Sequence, residues 1–320
     1  MEAKKVLLIG GSGFVGEWIA NRLSERGMRV TIPSRHRDHC KELILLPTVY
    51  TIEADVHDPK VLGELINDAD VVINLVGILH DRDAKTPYGK RFAQAHVELP
   101  QKIVAAMKAA GARPRRLLHM SALGASSNAP SGYLRSKAAG EAAVLAAAGE
   151  LDVTIFRPSV IFGRGDSFLN RFATLVKLLP VLPLGGANAR LQPVYVGDVA
   201  DAFVAAISDA STFGKTYELT GPRVYTLREL VDYTALVVGK RALVIELPDA
   251  LAYVQAGVLG LLPNPPLSPD NLRSLQVASV ASGKNAWPGF SPQPLEAIAP
   301  TYLSTAANRH FDGFRGRAGR

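Results

Sequence analysis

The stretch "LLIGGSGFVGEW", residues 7–18, decides how the rest of the chain is read. An apolar run of strand length ends in glycines, and a helical pattern opens directly behind them. Gly10, Gly13 and Gly16 stand three apart, and Gly11, Gly13 and Gly16 give the Gly-x-Gly-x-x-Gly spacing. In such a turn the first glycine makes the tight bend and the middle one lets backbone approach a pyrophosphate. The third lets helix and strand pack closely. Amides at the helix N-terminus then hold the phosphates. The expectation is a dinucleotide held by Gly10, Gly11, Ser12, Gly13, Phe14, Val15 and Gly16.

Outward from this turn the first 160 residues alternate. Strand-length apolar runs stand at 6–9, 30–32, 50–53, 71–76, 117–120 and 153–156, with helical patterns at 15–26, 61–67, 99–110 and 136–148. Buried runs flanked by helices imply a doubly wound parallel α/β sheet of the Rossmann type, covered on both faces. After Arg157 and Pro158 the texture becomes irregular and rich in Pro and Gly, and strand-then-helix texture returns near 193 and 216. The expected division is a dinucleotide-binding domain of residues 1–160 plus about 193–222. A smaller C-terminal lobe takes about 161–192 plus 223–308, and residues 309–320 form a basic tail.

Composition narrows the setting. The chain has 320 residues, 48% of them hydrophobic, enough for one large α/β domain or for one domain with a smaller lobe. Cys40 is the single cysteine, which excludes an intrachain disulfide and a Cys-based zinc site and suits a reducing compartment. The seven histidines form no metal-ligand spacing, so no metal is expected. Lys4 and Lys5 lead into a strand without a secretory signal. The best membrane candidate, residues 250–262, falls short of the roughly 20 apolar residues that a span needs. It sits in "PDALAYVQAGVLGLLPNPP", where Asp249 opens a helix-length apolar core and Pro263 stops it. The expected location is cytoplasmic, at most peripheral to the membrane. Of the net charge of +7, the tail carries Arg309, Arg315, Arg317 and Arg320. Such a tail is a solvated end or a contact with an acidic protein complex or an anionic membrane surface. No basic stripe interleaved with aromatics points to nucleic acid.

Cofactor choice is read at the end of the second strand, "RVTIPSRHR". An NAD site places an acid there for the ribose 2′-hydroxyl. This chain has Ser34, then Arg35 and Arg37, which suit a 2′-phosphate. NADP(H) is therefore favoured over NAD(H). Asp55 and Val56, after the third strand, stand where the adenine edge would lie, although a turn aspartate fits the pattern equally. "INLVG", residues 73–77, ends the fourth strand with Leu75, Val76 and Gly77 beneath the cofactor.

Chemistry would sit in "YLRSK". Tyr133 and Lys137, four apart, share one helix face. A nearby ammonium lowers a phenol pKa from about 10 toward neutrality, and such a tyrosine can exchange a proton beside a nicotinamide. The pair follows the fifth strand, where doubly wound sheets bind ligands.

The glycine motif, "INLVG", "HMSALG", Tyr133-x-x-x-Lys137 and "FRPSVIFG" together resemble the extended or atypical short-chain dehydrogenase/reductase superfamily over residues 1–230. More narrowly, "HVELPQKIVAAMKAAG", "YLRSKAAGE", "RPSVIFGRGDSFLNRF" and "QPVYVGDVADA" are similar to the family of NADPH-binding accessory subunits of respiratory complex I and their bacterial relatives. "FGRGDSFLNRF" is the most specific piece. The narrow resemblance implies tightly held NADPH in a structural role; the wider one implies an epimerase, dehydratase or reductase using Ser/Thr, Tyr and Lys. On that basis Tyr133, Lys137 and Ser121 are the catalytic candidates. Tyr133 and Lys137 also hold the nicotinamide ribose, and Pro158 and Ser159 pass near the nicotinamide amide. Active members end the fifth strand with paired Ser/Thr residues, whereas Ser121 is followed here by Ala122 and Leu123. His80, Asp81 and Asp83 form a charged loop, and Arg164 and Asp166 are further cleft candidates. Three readings follow: a cofactor-stabilised binding or assembly protein, an active NADP-dependent oxidoreductase, epimerase or dehydratase, and an NADPH-sensing regulator.

Overall fold

The computed structural model describes residues 4–83, 86–111, 115–262 and 265–304. The apolar runs become β1 (Lys5–Ile9), β2 (Arg29–Ser34), β3 (Val49–Glu53), β4 (Val71–Asn74), β5 (Arg116–Met120) and β6 (Asp152–Pro158), joined by β7 (Lys215–Leu219). They form one seven-stranded sheet in the order β7-β6-β5-β4-β1-β2-β3. Every neighbouring pair is parallel, as Leu7 opposite Val72 and Leu118 opposite Thr154 illustrate. Leu7, Leu8, Val72 and Ile73 are fully buried, as a sheet covered on both faces requires. The order reverses between β1 and β4, the place where a doubly wound sheet receives ligands.

The helices follow from their caps and stripes. α1 (Phe14–Glu25) buries Val15, Ile19 and Leu23, four apart. α2 (Pro59–Asn67) starts with proline in its first turn behind Asp58, whose carboxylate accepts from the Lys60 amide at 2.8 Å. α3 (Leu99–Ala109) follows a wider π-helical turn, Ala93–Glu98. α4 (Gly132–Leu145) starts four residues before the apolar pattern at 136 suggests. The cause is a cap: the Ser131 hydroxyl accepts from the Leu134 amide at 3.2 Å. This early start puts Tyr133 and Lys137 one turn apart on the same helix.

The chain divides into two compact units. The first takes Met1–Pro158, Gly197–Leu219 and Ala281–Phe290; the second takes Ser159–Val196, Thr220–Val280 and Ser291–Arg320. The sequence division assigned 281–290 to the smaller lobe, whereas in the structure it returns to the first unit. There the Glu218 amide donates to the Asn285 carbonyl at 2.7 Å, and the Ser282 amide and hydroxyl donate to the Glu218 carboxylate at 2.7 and 2.9 Å. Trp287 packs on Phe156 and Tyr217 at 5.3 and 4.8 Å. The segment thereby covers β7, the edge strand of the sheet, and an edge needs such cover. No local pattern in the sequence announces this return.

The second unit has its own core, in which Phe162, Leu169, Leu191, Leu230 and Leu295 are buried together. Its helices are Leu169–Leu178, Leu227–Val237, Asp249–Leu259, Pro269–Leu275 and Leu295–Leu303. Within it "FGRGDSFLNRF" closes on itself. Buried Asp166 accepts from the amides of Gly163 (3.0 Å), Phe168 (2.8 Å) and Asn170 (3.2 Å), and the Tyr302 hydroxyl donates to it at 2.8 Å. Asp166 therefore staples a loop to the last helix, and Arg164 is exposed.

Candidate cofactor and active site

At the glycine turn the backbone does the work. Gly10 holds φ +83°, and a Cβ there would stand 3.1 Å from the Val76 amide nitrogen. A Cβ on Gly16 would lie 2.5 Å from the Gly11 Cα and 2.6 Å from the Gly10 carbonyl, so α1 packs against the turn only because this residue has no side chain. Gly13 caps α1 without any side-chain bond, and Ser12 and Phe14 are half-buried beside it.

The corner expected to choose between dinucleotides lies at the ends of β2 and β3, tied by the Ala54 amide donating to the Ser34 carbonyl at 3.0 Å. The Ser34 hydroxyl donates to the His36 carbonyl at 2.9 Å, closing its own turn, and Arg35 is exposed. Arg37 opens a short 3-10 turn, Arg37–Cys40, and its side chain lies outside the described residues. Asp55 is exposed and accepts from the His57 amide at 3.0 Å, forming an Asx turn ahead of α2, with Val56 half-buried next to it.

Lys137 ties the chemical end together. Its ammonium donates to the Met120 carbonyl at the end of β5 (3.1 Å) and to the Val76 carbonyl beyond β4 (3.3 Å). A Cβ on Gly77 would stand 3.1 Å from its Nζ. The structure thus brings Leu75, Val76, Gly77, Met120, Ser121 and Lys137 to one place. Burial lowers the Lys137 pKa to about 8 and pushes the Tyr133 phenol up to about 12. The sequence expectation was a phenol drawn toward neutrality by the lysine. Here desolvation sets its titration, and the ammonium spends hydrogen bonds on carbonyls. Ser121 Oγ is buried with no hydrogen-bond partner among the described residues.

Two histidines that the sequence reading passed over complete this end. His96, in the π-helical turn, accepts from the Ile78 amide at Nε2 (3.0 Å), so the neutral ring carries its proton on Nδ1. Nδ1 then donates to Ser136 Oγ (2.8 Å), which donates to the Tyr133 carbonyl (2.8 Å). The His96 ring stacks on Phe92 at 5.3 Å and meets Tyr133 edge-on at 5.6 Å. Asn74 Oδ1 accepts from the Val76 amide at 3.2 Å, which turns its NH2 toward His119 Nδ1 at 3.1 Å. His119 consequently keeps its proton on Nε2, buried without a partner among the described residues. Desolvation, reinforced by Lys137, lowers His96 to about 2 and His119 to about 3. Both rings stay neutral, and each acts as an oriented donor and acceptor. A polar residue inside an apolar run, as in "LLHM", is the signal that could have found His119; nothing local marks His96.

Other expected site residues have local roles. Asp81 accepts from the amides of Asp83 (3.0 Å) and Phe92 (2.9 Å), closing its loop onto the helix behind it, while His80 and Asp83 are half-buried in that loop. Pro158 ends β6, and its carbonyl accepts from the Leu123 amide at 3.0 Å. Ser159 belongs to the second unit, where its hydroxyl donates to the Ser279 carbonyl at 2.9 Å. An ion pair between half-buried Arg157 and buried Glu141 braces α4: Arg157 Nη2 to Glu141 Oε1 at 2.6 Å and Nε to Oε2 at 2.9 Å. The glycine cradle, the crevice at the strand-order reversal and the orphaned Ser121 hydroxyl fit a dinucleotide.

Comparison with known proteins gives the same architecture. A family model described as "NAD dependent epimerase/dehydratase family" matches residues 6–219. The chain is 36% identical over 255 residues to the mitochondrial NADH dehydrogenase (ubiquinone) 1 alpha subcomplex subunit 9 of Arabidopsis thaliana, covering 78% of this chain and 61% of that protein. It therefore spans about three-fifths of the length of that relative. It is 31% identical over 246 residues to a ceramide reductase of Caulobacter vibrioides, covering 76% of this chain and 74% of the reductase. Among solved structures, UDP-glucuronic acid 4-epimerase from Bacillus cereus, in complex with UDP-glucuronic acid and NAD, superposes with a TM-score of 0.66. Its identity is 20%, with 87% of this chain and 95% of that one covered, which speaks to the fold alone. No helix among the described residues is long and apolar enough to cross a membrane.

Proposed function

The chain belongs to the NAD dependent epimerase/dehydratase family, and on that premise we propose that it is an NADP(H)-binding protein of the complex I accessory-subunit type, in which the cofactor stabilises a binding or assembly module. One observation carries this reading. Lys137 is committed to the Val76 and Met120 carbonyls while burial raises the Tyr133 phenol. That arrangement suits holding a ribose and a nicotinamide more than delivering a proton.

In this reading the turn from Gly10 to Gly16 receives the pyrophosphate. Arg35, with Arg37, takes the 2′-phosphate, and Asp55 and Val56 border the adenine. Leu75, Val76 and Gly77 lie under the cofactor, with Pro158 and Ser159 near the amide. When bound, a nicotinamide supplies hydride exchange. The arginines at 309, 315, 317 and 320, outside the described residues, add a weak, salt-sensitive contact with an acidic complex or anionic surface.

A second reading is an active reductase, favoured by the likeness to a ceramide reductase and by the intact Tyr133–Lys137 pair. Tyr133 would then move the proton at its phenolic oxygen, Lys137 would hold the ribose, and Ser121 would orient a carbonyl on a long-chain substrate. The deciding measurement is the cofactor carried by the purified protein and its turnover with long-chain carbonyl compounds. The binding reading expects retained NADPH without turnover. Turnover lost in Tyr133→Phe, with NADPH still bound, would replace it with the second. NADPH should bind more tightly than NADH, and Arg35→Ala should remove about 1.5–3 kcal/mol of that preference. Equal affinities in the wild type would overturn the 2′-phosphate assignment.

A further inference from the structure

The second unit carries an apolar surface that its core does not use. Among the described residues, eleven of the fifteen exposed large hydrophobic side chains belong to it, so the surface is concentrated there and not scattered. Two short parallel strands, Val181–Leu184 and Leu243–Glu246, form a ribbon in which Val181 lies opposite Leu243 and Pro183 opposite Ile245. The inward residues Leu182, Leu184 and Val244 join the core, while Val181, Pro183, Leu243 and Ile245 face out and are exposed.

The helix Asp249–Leu259 continues this face. It packs inward through small residues, Ala252 and Ala256, against Leu272. Its large side chains Leu251, Val254 and Val258, three and four apart, are 56%, 63% and 63% exposed. Gln255 Nε2 donates to the Pro183 carbonyl at 3.2 Å, which sets the helix beside the ribbon. Large residues outside and small ones inside is the reverse of a helix made only for packing.

Charge identifies the occupant. Both strands start at one end of the ribbon, and two to four residues ahead of those starts come Lys177, Lys240 and Arg241, all exposed and none in an ion pair among the described residues; the exposed carboxylate nearby on the helix is Asp249, at its first turn. Glu246, at the opposite end, is engaged by Asn188 at 2.6 Å and by Arg228 at 3.6 Å. The outward side chains of the ribbon, Val181, Pro183, Leu243 and Ile245, are apolar and free of charge. Aliphatic side chains beside a cationic rim are the composition of a surface that sits in the headgroup layer.

We propose that the outer face of this ribbon, with the exposed stripe of the helix Asp249–Leu259, docks the second unit on an anionic phospholipid bilayer. The aliphatic side chains enter the acyl boundary, and Lys177, Lys240 and Arg241 meet lipid phosphates. The site needs neither the bound dinucleotide nor the arginine tail.

The test is flotation of the full chain with vesicles of phosphatidylcholine alone and of phosphatidylcholine with one-third phosphatidylglycerol, at low and high salt. The wild type should float with the anionic vesicles. Leu243→Ser with Ile245→Ser, and separately Val254→Ser with Val258→Ser, should each lower the partition coefficient at least about tenfold, because the lost burial of one aliphatic side chain accounts for that factor. Lys177→Ala with Lys240→Ala and Arg241→Ala should lower it on the order of a hundredfold on anionic vesicles at low salt and leave neutral vesicles unaffected. Changing the four tail arginines to serine should leave the ribbon-dependent partition in place. NADPH affinity, read by fluorescence, should be the same in all these variants, and a wild type that floats but binds no NADPH would count against the cofactor reading and not against this surface. Wild-type flotation that is absent, or unchanged by the ribbon and helix substitutions, overturns the proposal. So does a dimer in sedimentation equilibrium that the same substitutions split, since the face would then belong to a second copy of the chain.

Discussion

The glycine turn is built from backbone and from missing side chains: Gly10 holds a left-handed φ and Gly16 leaves room where any Cβ would collide. At the Tyr133–Lys137 end, α4 converges with the ends of β4 and β5. The determining quantities there are burial and hydrogen-bond direction, as the neutral rings of His96 and His119 illustrate. The first region is specified by which atoms are absent, the second by which polar groups have been taken out of water. One tolerates almost no addition. The other responds to the removal of a partner and to pH.

The sharpest way to break the second region is to remove the brace of α4. Arg157→Met leaves the Glu141 carboxylate buried and unpaired, and it should cost about 3–5 kcal/mol in denaturant unfolding. A loss below about 1 kcal/mol would mean that α4 is held by its apolar contacts alone. Gly16→Ala tests the first region. Its Cβ would stand 2.5 Å from the Gly11 Cα, so stability should fall by about 1–3 kcal/mol, and dinucleotide affinity should fall with it. An unchanged melting curve and unchanged affinity would show that the turn can yield.

The pH dependence separates the regions further. Burial lowers the Lys137 pKa to about 8, against 10.5 for the unperturbed side chain. Between these values the unfolded chain binds more protons than the folded one, so folding becomes more favourable as pH rises. Wild-type stability should gain on the order of 2 kcal/mol between pH 8 and 10 from this group. Above pH 10 the raised Tyr133 phenol works in the opposite direction, because the unfolded phenol ionises first. Lys137→Met should lack the gain between pH 8 and 10. An identical slope in that variant would remove Lys137 as its source. The smallest expected effect is Asp55→Ala, which deletes an exposed Asx turn and should cost about 1 kcal/mol or less. A much larger fall in NADPH affinity than in stability would favour the adenine contact over the turn role.

The legible part of the candidate site was the part carried by local chemistry. The glycine spacing, the strand ends at Gly77 and Ser121 and the Tyr133–Lys137 interval can all be seen in short windows. The start of α4 was misplaced because residues 132–135 carry no apolar repeat, and the Ser131 cap that sets it is a single residue. Asp166 read as a cleft residue because an aspartate after a strand is chemically suggestive. Its bonds to three amides lie within four residues of it, but its bond to Tyr302 lies across 136 residues of sequence and leaves no local trace.

By itself the sequence determined the doubly wound sheet, since alternating apolar runs and helices with a glycine turn admit few other packings. It also determined the glycine turn at residues 10–16, because the close approaches at Gly10 and Gly16 leave no room for a Cβ. Tertiary structure alone decided the rest. It set the tautomers of His96 and His119, because a ring's proton goes where distant partners leave it. It placed the return of residues 281–290 over β7, because an open sheet edge takes whatever cover the chain can reach. It also set the titration of Tyr133 and Lys137, because desolvation depends on everything packed around a group and on nothing in its own name.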